Sequence, residues 1–143
     1  MNRKTARSLI RLGVAALGLF PLAAFLVGRR VIVRGESMLP ALRPGDRVLF
    51  DRLAYLIERP RRGDVVLARH PARPGVLMVK RVAEGGPDGY LLLGDNPGAS
   101  TDSRTLGPFR REDIAARAWV VYWPPERVRV IRRPSGARRR EGT

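Results

Sequence analysis

From Leu12 to Gly28 the chain runs for 17 residues without a charge, LGVAALGLFPLAAFLVG, between Arg3, Lys4, Arg7 and Arg11 on one side and Arg29 and Arg30 on the other. Such a stretch has to be withdrawn from water. As a helix it spans about 25 Å, and Leu9 and Ile10, with Arg11 reaching back to the interface, extend it to the roughly 30 Å of a bilayer core. A basic start followed by an apolar centre is also the pattern of a signal peptide. The length of the run and the lack of a small-x-small site before Arg29 favour an uncleaved single-pass anchor. A cleaved leader and a buried helix are the alternatives. Pro21 would kink the helix, which membrane helices tolerate.

Beyond Arg30 the pattern changes to short β-type runs punctuated by Gly and Pro. Val31–Arg34 alternates, Arg47–Phe50 follows the turn Pro44-Gly45-Asp46, and Asp64–Arg69 follows Arg62-Gly63. Val76–Glu84 and Tyr90–Gly94 flank a hairpin loop at Gly85–Gly89, and Ala116–Trp123 stops at Pro124-Pro125. Only Asp51–Glu58 has helical character. The expected fold is therefore mainly β, a compact antiparallel domain over 31–126. It follows a basic N-terminus and anchor over 1–30. A basic tail over 127–143, almost without apolar residues from Arg132, is expected to be disordered.

A net charge of +15 first points to nucleic acid or an anionic membrane. Its distribution removes most of that case. Residues 1–30 carry six bases and no acid, residues 31–126 carry 15 bases and 12 acids, and residues 127–143 carry seven bases and one acid. The excess sits at the two ends, so no nucleic-acid partner is expected. The 143 residues contain no Cys and one His, His70, which excludes thiolate chemistry and a multi-histidine metal centre. No metal or cofactor is expected.

What remains for nucleophilic chemistry is Ser or Thr with an unusual base. Ser37 follows Gly35-Glu36 and precedes Met38-Leu39-Pro40, just beyond a strand, where Gly permits close backbone approach and Pro stiffens the chain after it. Lys80 lies in the apolar run Leu77-Met78-Val79-Lys80-Arg81-Val82, and only Lys4 and Lys80 among the 28 bases are not Arg. Alternation places 78, 80 and 82 on one face. An ordinary lysine is only about 0.04% neutral at pH 7, so burial must bring its pKa down before it can serve as a base. Arg could not substitute. The residues alone leave a second reading open, in which Ser37 is a turn serine and Lys80 an exposed strand residue.

Four segments in order change the balance: Ser37-Met38-Leu39-Pro40, Arg62-Gly63-Asp64-Val65-Val66, Lys80-Arg81-Val82, and Gly94-Asp95-Asn96 through Ser100-Thr101-Asp102-Ser103-Arg104. With the preceding anchor they resemble the successive sequence boxes of type I signal peptidases, the serine-lysine peptidases of family S26. The resemblance covers roughly residues 10–125. It implies Ser37 as nucleophile and Lys80 as general base, with peptide hydrolysis through an acyl-enzyme. The Ser37 backbone N–H would be an oxyanion donor, while Gly35 stands where some members carry a further hydroxyl donor. Ser100 would hydrogen-bond and orient the lysine ammonium. Asp95 would pair with Arg81 and Asp102 with Arg104, bracing the Ser100 loop.

Met38, Pro40 and Val79 are substrate-pocket candidates on the same resemblance. Only 13 residues separate Lys80 from Gly94, where larger relatives insert a second β domain. The resemblance also implies a catalytic domain on the outer face of the cytoplasmic membrane, touching lipid through an apolar edge. Its partners would be precursor polypeptides with small-x-small cleavage sites. A narrower expectation is a branch resembling the maturation proteases of nickel superoxide dismutase, suggested by Arg69-His70-Pro71 and Ser100-Thr101-Asp102. From another class comes a non-catalytic basic protein binding membrane or nucleic acid. His70 reads as a turn residue, Asp46, Asp51 and Asp64 as capping groups. Trp119, Tyr122 and Trp123 read as core or membrane-interface residues, and Arg138–Arg140 as a solvated tail.

Overall fold

The computed structural model describes residue 23 and residues 26–134. Seven strands appear among the described residues: β1 (Arg29–Ile32), β2 (Arg47–Asp51), β3 (Val65–His70), β4 (Arg73–Gly86), β5 (Gly89–Leu93), β6 (Ile114–Trp123) and β7 (Arg129–Val130). They form one antiparallel sheet in the order β1-β2-β6-β3-β4-β5, with β7 added on β6. Two short helices, α1 (Ala54–Ile57) and α2 (Ser103–Leu106), accompany it. The fold is mainly β.

Strand β3 explains why the sheet has two cores. Val65, Val66, Leu67 and Ala68 are all buried, so successive side chains enter opposite faces and both are covered. Val65 and Leu67 join Val48, Phe50, Ala116, Ala118 and Val121 on one side. Val66 and Ala68 join Val82, Tyr90, Leu92, Phe109 and Ile114 on the other. The 12-residue excursion between β1 and β2, residues 34–45, is tied to the first core by the side chains of Met38 and Leu42, each 1% exposed.

Three expectations change. Strand β1 begins at Arg29, because Arg29 pairs with Phe50 and Ile32 with Arg47. Strand β4 continues to Gly86, which pairs with Gly89 across a two-residue turn. Composition puts the end of the domain at 126, but the chain stays on it through residue 133. Arg127 pairs with Asp46, β7 joins β6, the Ile131 N–H donates to the Trp119 carbonyl, and Arg133 pairs with Asp64. Two buried carboxylates and the packing of Ile131 against the first core hold this segment. No helix among the described residues is long and apolar enough to cross a membrane. The expected anchor at 12–28 lies outside the described residues, apart from residues 23 and 26–28.

Candidate active site

The excursion that carries Ser37 is closed at its base by a pair of backbone bonds. The Val33 N–H donates to the Asp46 carbonyl at 2.8 Å and the Gly45 N–H to the Val33 carbonyl at 2.9 Å. Within it the Leu39 N–H donates to the Glu36 carbonyl at 3.1 Å and the Leu42 N–H to the Met38 carbonyl at 2.9 Å. Gly35, at φ +76°, turns the chain through the left-handed region, which favours glycine over the hydroxyl-bearing residue some relatives place there. Ser37 is half-buried, and neither its hydroxyl nor its backbone N–H makes a hydrogen bond among the described residues. Both are therefore available to a ligand.

Lys80 is 4% exposed, in line with Val82 at 1% and the partly buried Met78. Alternation along β4 has turned its side chain inward. Burial pushes the ammonium below the usual lysine range; the Asp102 charge acts in the opposite direction and the Arg104 charge adds to the lowering. Asp102, fully buried, is gripped by Arg104 through Nε to Oδ1 at 2.9 Å and Nη2 to Oδ2 at 2.5 Å. It also accepts the Gly94 N–H at 2.8 Å and the Ser100 hydroxyl at 2.6 Å. Burial alone would raise this carboxyl, but the bonds from Arg104, Gly94 and Ser100 outweigh it and hold the carboxyl well below its ordinary range.

Gly94 is where these pieces meet. A Cβ built on it would lie on Ser100 Oγ, 2.6 Å from Ser100 Cβ and 2.7 Å from the Ser37 carbonyl oxygen. Only a residue without a side chain lets the Ser37 turn and the Ser100 loop close on the same backbone. Arg81 of β4 pairs with Leu93 of β5, so the next positions along that ladder are Lys80 and Gly94. Ser37, Lys80, Ser100 and Asp102 thus share one neighbourhood.

The other expected residues fall into distinct places. Arg81 donates Nε to Asp95 Oδ1 at 2.8 Å and Nη2 to Oδ2 at 2.7 Å, and reaches the Gly63 carbonyl at 2.9 Å. This ties the Arg62-Gly63-Asp64 turn to the loop after β5. The Ser100 hydroxyl donates its hydrogen to Asp102, because an ionised carboxylate can only accept, and its lone pairs remain for the lysine ammonium with which the resemblance pairs it. Met38 cannot line an open pocket, since its side chain is packed in the core with Leu42. Pro40 is exposed, and Val79 is partly buried against that core. His70 Nδ1 accepts the Ala72 and Arg73 N–H groups at 3.1 and 3.2 Å, a turn role. Among the described residues no three His, Asp or Glu side chains gather into a metal site.

Asn96 is a residue the sequence did not single out. Its N–H donates to the Ser37 carbonyl at 2.9 Å and its Nδ2 to the Glu36 carbonyl at 3.2 Å. The signal was available only as its place in the box beginning at Gly94. Asp46 and Asp64 accept the backbone N–H of Arg43 and Arg61, but each is also a buried ion-pair partner.

A buried lysine held below its usual pKa, in one neighbourhood with a disengaged serine, is an arrangement suited to a serine hydrolase. Comparison with known proteins gives the same class. The sequence matches the family described as signal peptidase, peptidase S26, over residues 6–89 and 86–123. It is 36% identical over 117 residues to the mitochondrial ATP-independent inner membrane protease subunit 1a of Arabidopsis thaliana, covering 66% of this chain and 70% of that one. It is 34% identical over 120 residues to the mitochondrial inner membrane protease subunit 1 of Xenopus tropicalis, covering 70% of this chain and 72% of that one. The signal peptidase I of Leptolyngbya laminosa is 27% identical over 165 residues, covering 81% of each. The chain belongs to the peptidase S26 family and is a serine endopeptidase of the signal-peptidase type.

Proposed function

We propose that this protein is a membrane-anchored endopeptidase that removes signal peptides from exported precursors by a Ser37–Lys80 dyad. The burial of Lys80 in the neighbourhood of an unengaged Ser37 carries the reading. The neutral Lys80 amine takes the proton as Ser37 Oγ attacks the scissile carbonyl carbon. The oxyanion is met by the Ser37 backbone N–H. Lys80 then passes its proton to the leaving amine, and the acyl-enzyme is hydrolysed by a water whose proton Lys80 accepts. Ser100, having given its hydroxyl hydrogen to Asp102, keeps its lone pairs for the ammonium and so orients it. Arg104 neutralises Asp102, limiting the pull of that carboxylate on the lysine proton.

The substrate is an extended chain with small residues before the cleaved bond, added as a strand near Ser37. The anchor at 12–28 crosses the cytoplasmic membrane once, with the domain on its outer side. Leu53, Leu56 and Ile57, half to nearly fully exposed around α1, supply an apolar edge for lipid. The test incubates the purified protein, and its Ser37→Ala variant, with a precursor carrying a small-x-small site and with a nickel superoxide dismutase propeptide. Cleavage of the first by wild type alone is expected. Cleavage of the second alone would replace the substrate assigned here, and cleavage by Ser37→Ala would remove the dyad.

A further inference from the structure

Past β6 the chain turns back toward the excursion that bears Ser37, and two guanidinium groups meet it there. Arg127 donates Nε to Asp46 Oδ1 at 2.7 Å and Nη2 to Oδ2 at 2.8 Å, a bidentate grip on a carboxylate that is 1% exposed. Asp46 in turn holds the loop: its Oδ2 accepts the Arg43 N–H at 3.0 Å, and its backbone carbonyl accepts the Val33 N–H. Arg129, exposed at the start of β7, donates Nη2 to the Ala41 carbonyl, four residues after Ser37. Neither arginine lies in the region matched to the family, which ends at residue 123.

The physics gives these contacts a purpose beyond cohesion. Residues 34–45 belong to no strand, so the sheet ladder does not set the direction in which Ser37 points. Met38 and Leu42 fix the depth of the loop in the core, and Asn96 holds the Glu36 and Ser37 carbonyls on the side before the plug. Rotation of the loop about that apolar plug is opposed on the other side by Arg129 at Ala41 and Arg127 through Asp46. Arg is suited to the second task because its planar fork matches both carboxylate oxygens. Arg129 grips a backbone carbonyl with an exposed side chain, so it adds little to global stability.

We propose that Arg127 and Arg129 form a clamp that positions Ser37 for attack, acting through the 34–45 loop without touching the substrate. This rests on the reading of Ser37 as nucleophile. The full-length protein is compared as wild type, Arg129→Ala, Arg129→Lys and the paired variant Asp46→Asn with Arg127→Met. The pair avoids leaving a buried carboxylate alone, and the amide oxygen that Asp46→Asn introduces can still accept the Arg43 N–H. Two readouts are taken: cleavage of a peptide spanning a small-x-small junction, and amide hydrogen exchange without substrate.

Arg129→Ala is expected to lower kcat about ten-fold with KM and Tm unchanged, since small displacements of a reacting group are costly. The Leu39 and Leu42 amides should exchange faster, while Val66 and Leu67 of β3 do not change. Arg129→Lys should recover most of kcat, because an ammonium can also donate to the Ala41 carbonyl. The paired variant should show the same fall in kcat and the same faster loop exchange well below its melting point, with some loss of Tm because the buried Asp46–Arg127 pair is gone. Unchanged loop exchange, an unchanged kcat, or a fall in kcat that only follows a fall in Tm would overturn the clamp. Cleavage by Ser37→Ala overturns the nucleophile assignment and the positioning role with it, and is seen separately from the exchange result.

Discussion

Replacing Gly94 by Ala adds one methyl group at the point where the site is tightest. That carbon would stand 2.6 Å from Ser100 Cβ and 2.7 Å from the Ser37 carbonyl oxygen, so both must withdraw by about 0.7 Å to reach ordinary contact. The Ser37 carbonyl is backbone and cannot swing away as a side-chain tip could. It is also bonded to the Asn96 N–H at 2.9 Å. Overpacking of this kind costs about 1–3 kcal/mol of stability. The larger effect is expected on catalysis, because a misplacement approaching 1 Å can cost about 10²-fold. We expect kcat of Gly94→Ala to fall about 30- to 100-fold on a peptide substrate, with urea denaturation of the same preparation showing the protein folded. Gly98→Ala is the control: the nearest atom to its added carbon is Asn96 Oδ1 at 3.9 Å, and wild-type kcat is expected. A folded Gly94→Ala protein with wild-type kcat would refute the convergence of the Ser37 and Ser100 loops on this residue.

Lys80→Met should abolish cleavage, by at least about 10²-fold, and raise stability at pH 7 by about 1–2 kcal/mol. By linkage, a lysine lowered below 10.5 by folding carries its buried charge at a cost until pH rises through the folded value, so thermal melts should show the gain shrinking at high pH. For the same reason kcat/KM should rise on a limb below the usual lysine range. Asp46 and Asp102 are held below 3.8, so their contribution is full above that value and is lost as pH falls through the lower folded values; acid melts of Asp102→Asn should show a flatter loss than wild type. Tyr55→Phe removes the hydroxyl that donates to buried Asp64 at 2.7 Å, and denaturation should read a loss of about 1 kcal/mol with kcat unchanged.

The parts of this molecule that sequence made legible are those set by local pattern. Alternation around Lys80 put it on one face with Met78 and Val82 and left open whether that face is buried; the lysine is 4% exposed. The Gly and Pro punctuation marked strands β2 to β6 within a few residues. What composition could not convey was pairing over distance. Arg29 and Arg30 look like the flank of an apolar run, yet they are strand residues because Phe50 and Leu49 lie opposite. Arg127 and Arg133 look like part of a solvated tail, and each finds a buried carboxylate, Asp46 81 residues away and Asp64 69 residues away. Asp46 and Asp64 read as turn caps, which they are, but capping uses one lone pair and leaves the rest for an arginine. The resemblance spoke only of the Ser100 contact with the lysine ammonium, which can only donate, and so did not reveal that the hydroxyl hydrogen goes to Asp102, two residues on.

The assignment of Ser37 as nucleophile is tested most directly by trapping the acyl-enzyme. Wild-type protein is mixed with a peptide spanning a small-x-small junction, quenched in acid within milliseconds, digested and examined by mass spectrometry. The N-terminal part of the substrate is expected as an ester on Ser37, absent from Ser37→Ala and from Lys80→Met. An ester on another residue, or cleavage by the Ser37→Ala protein, would contradict the assignment.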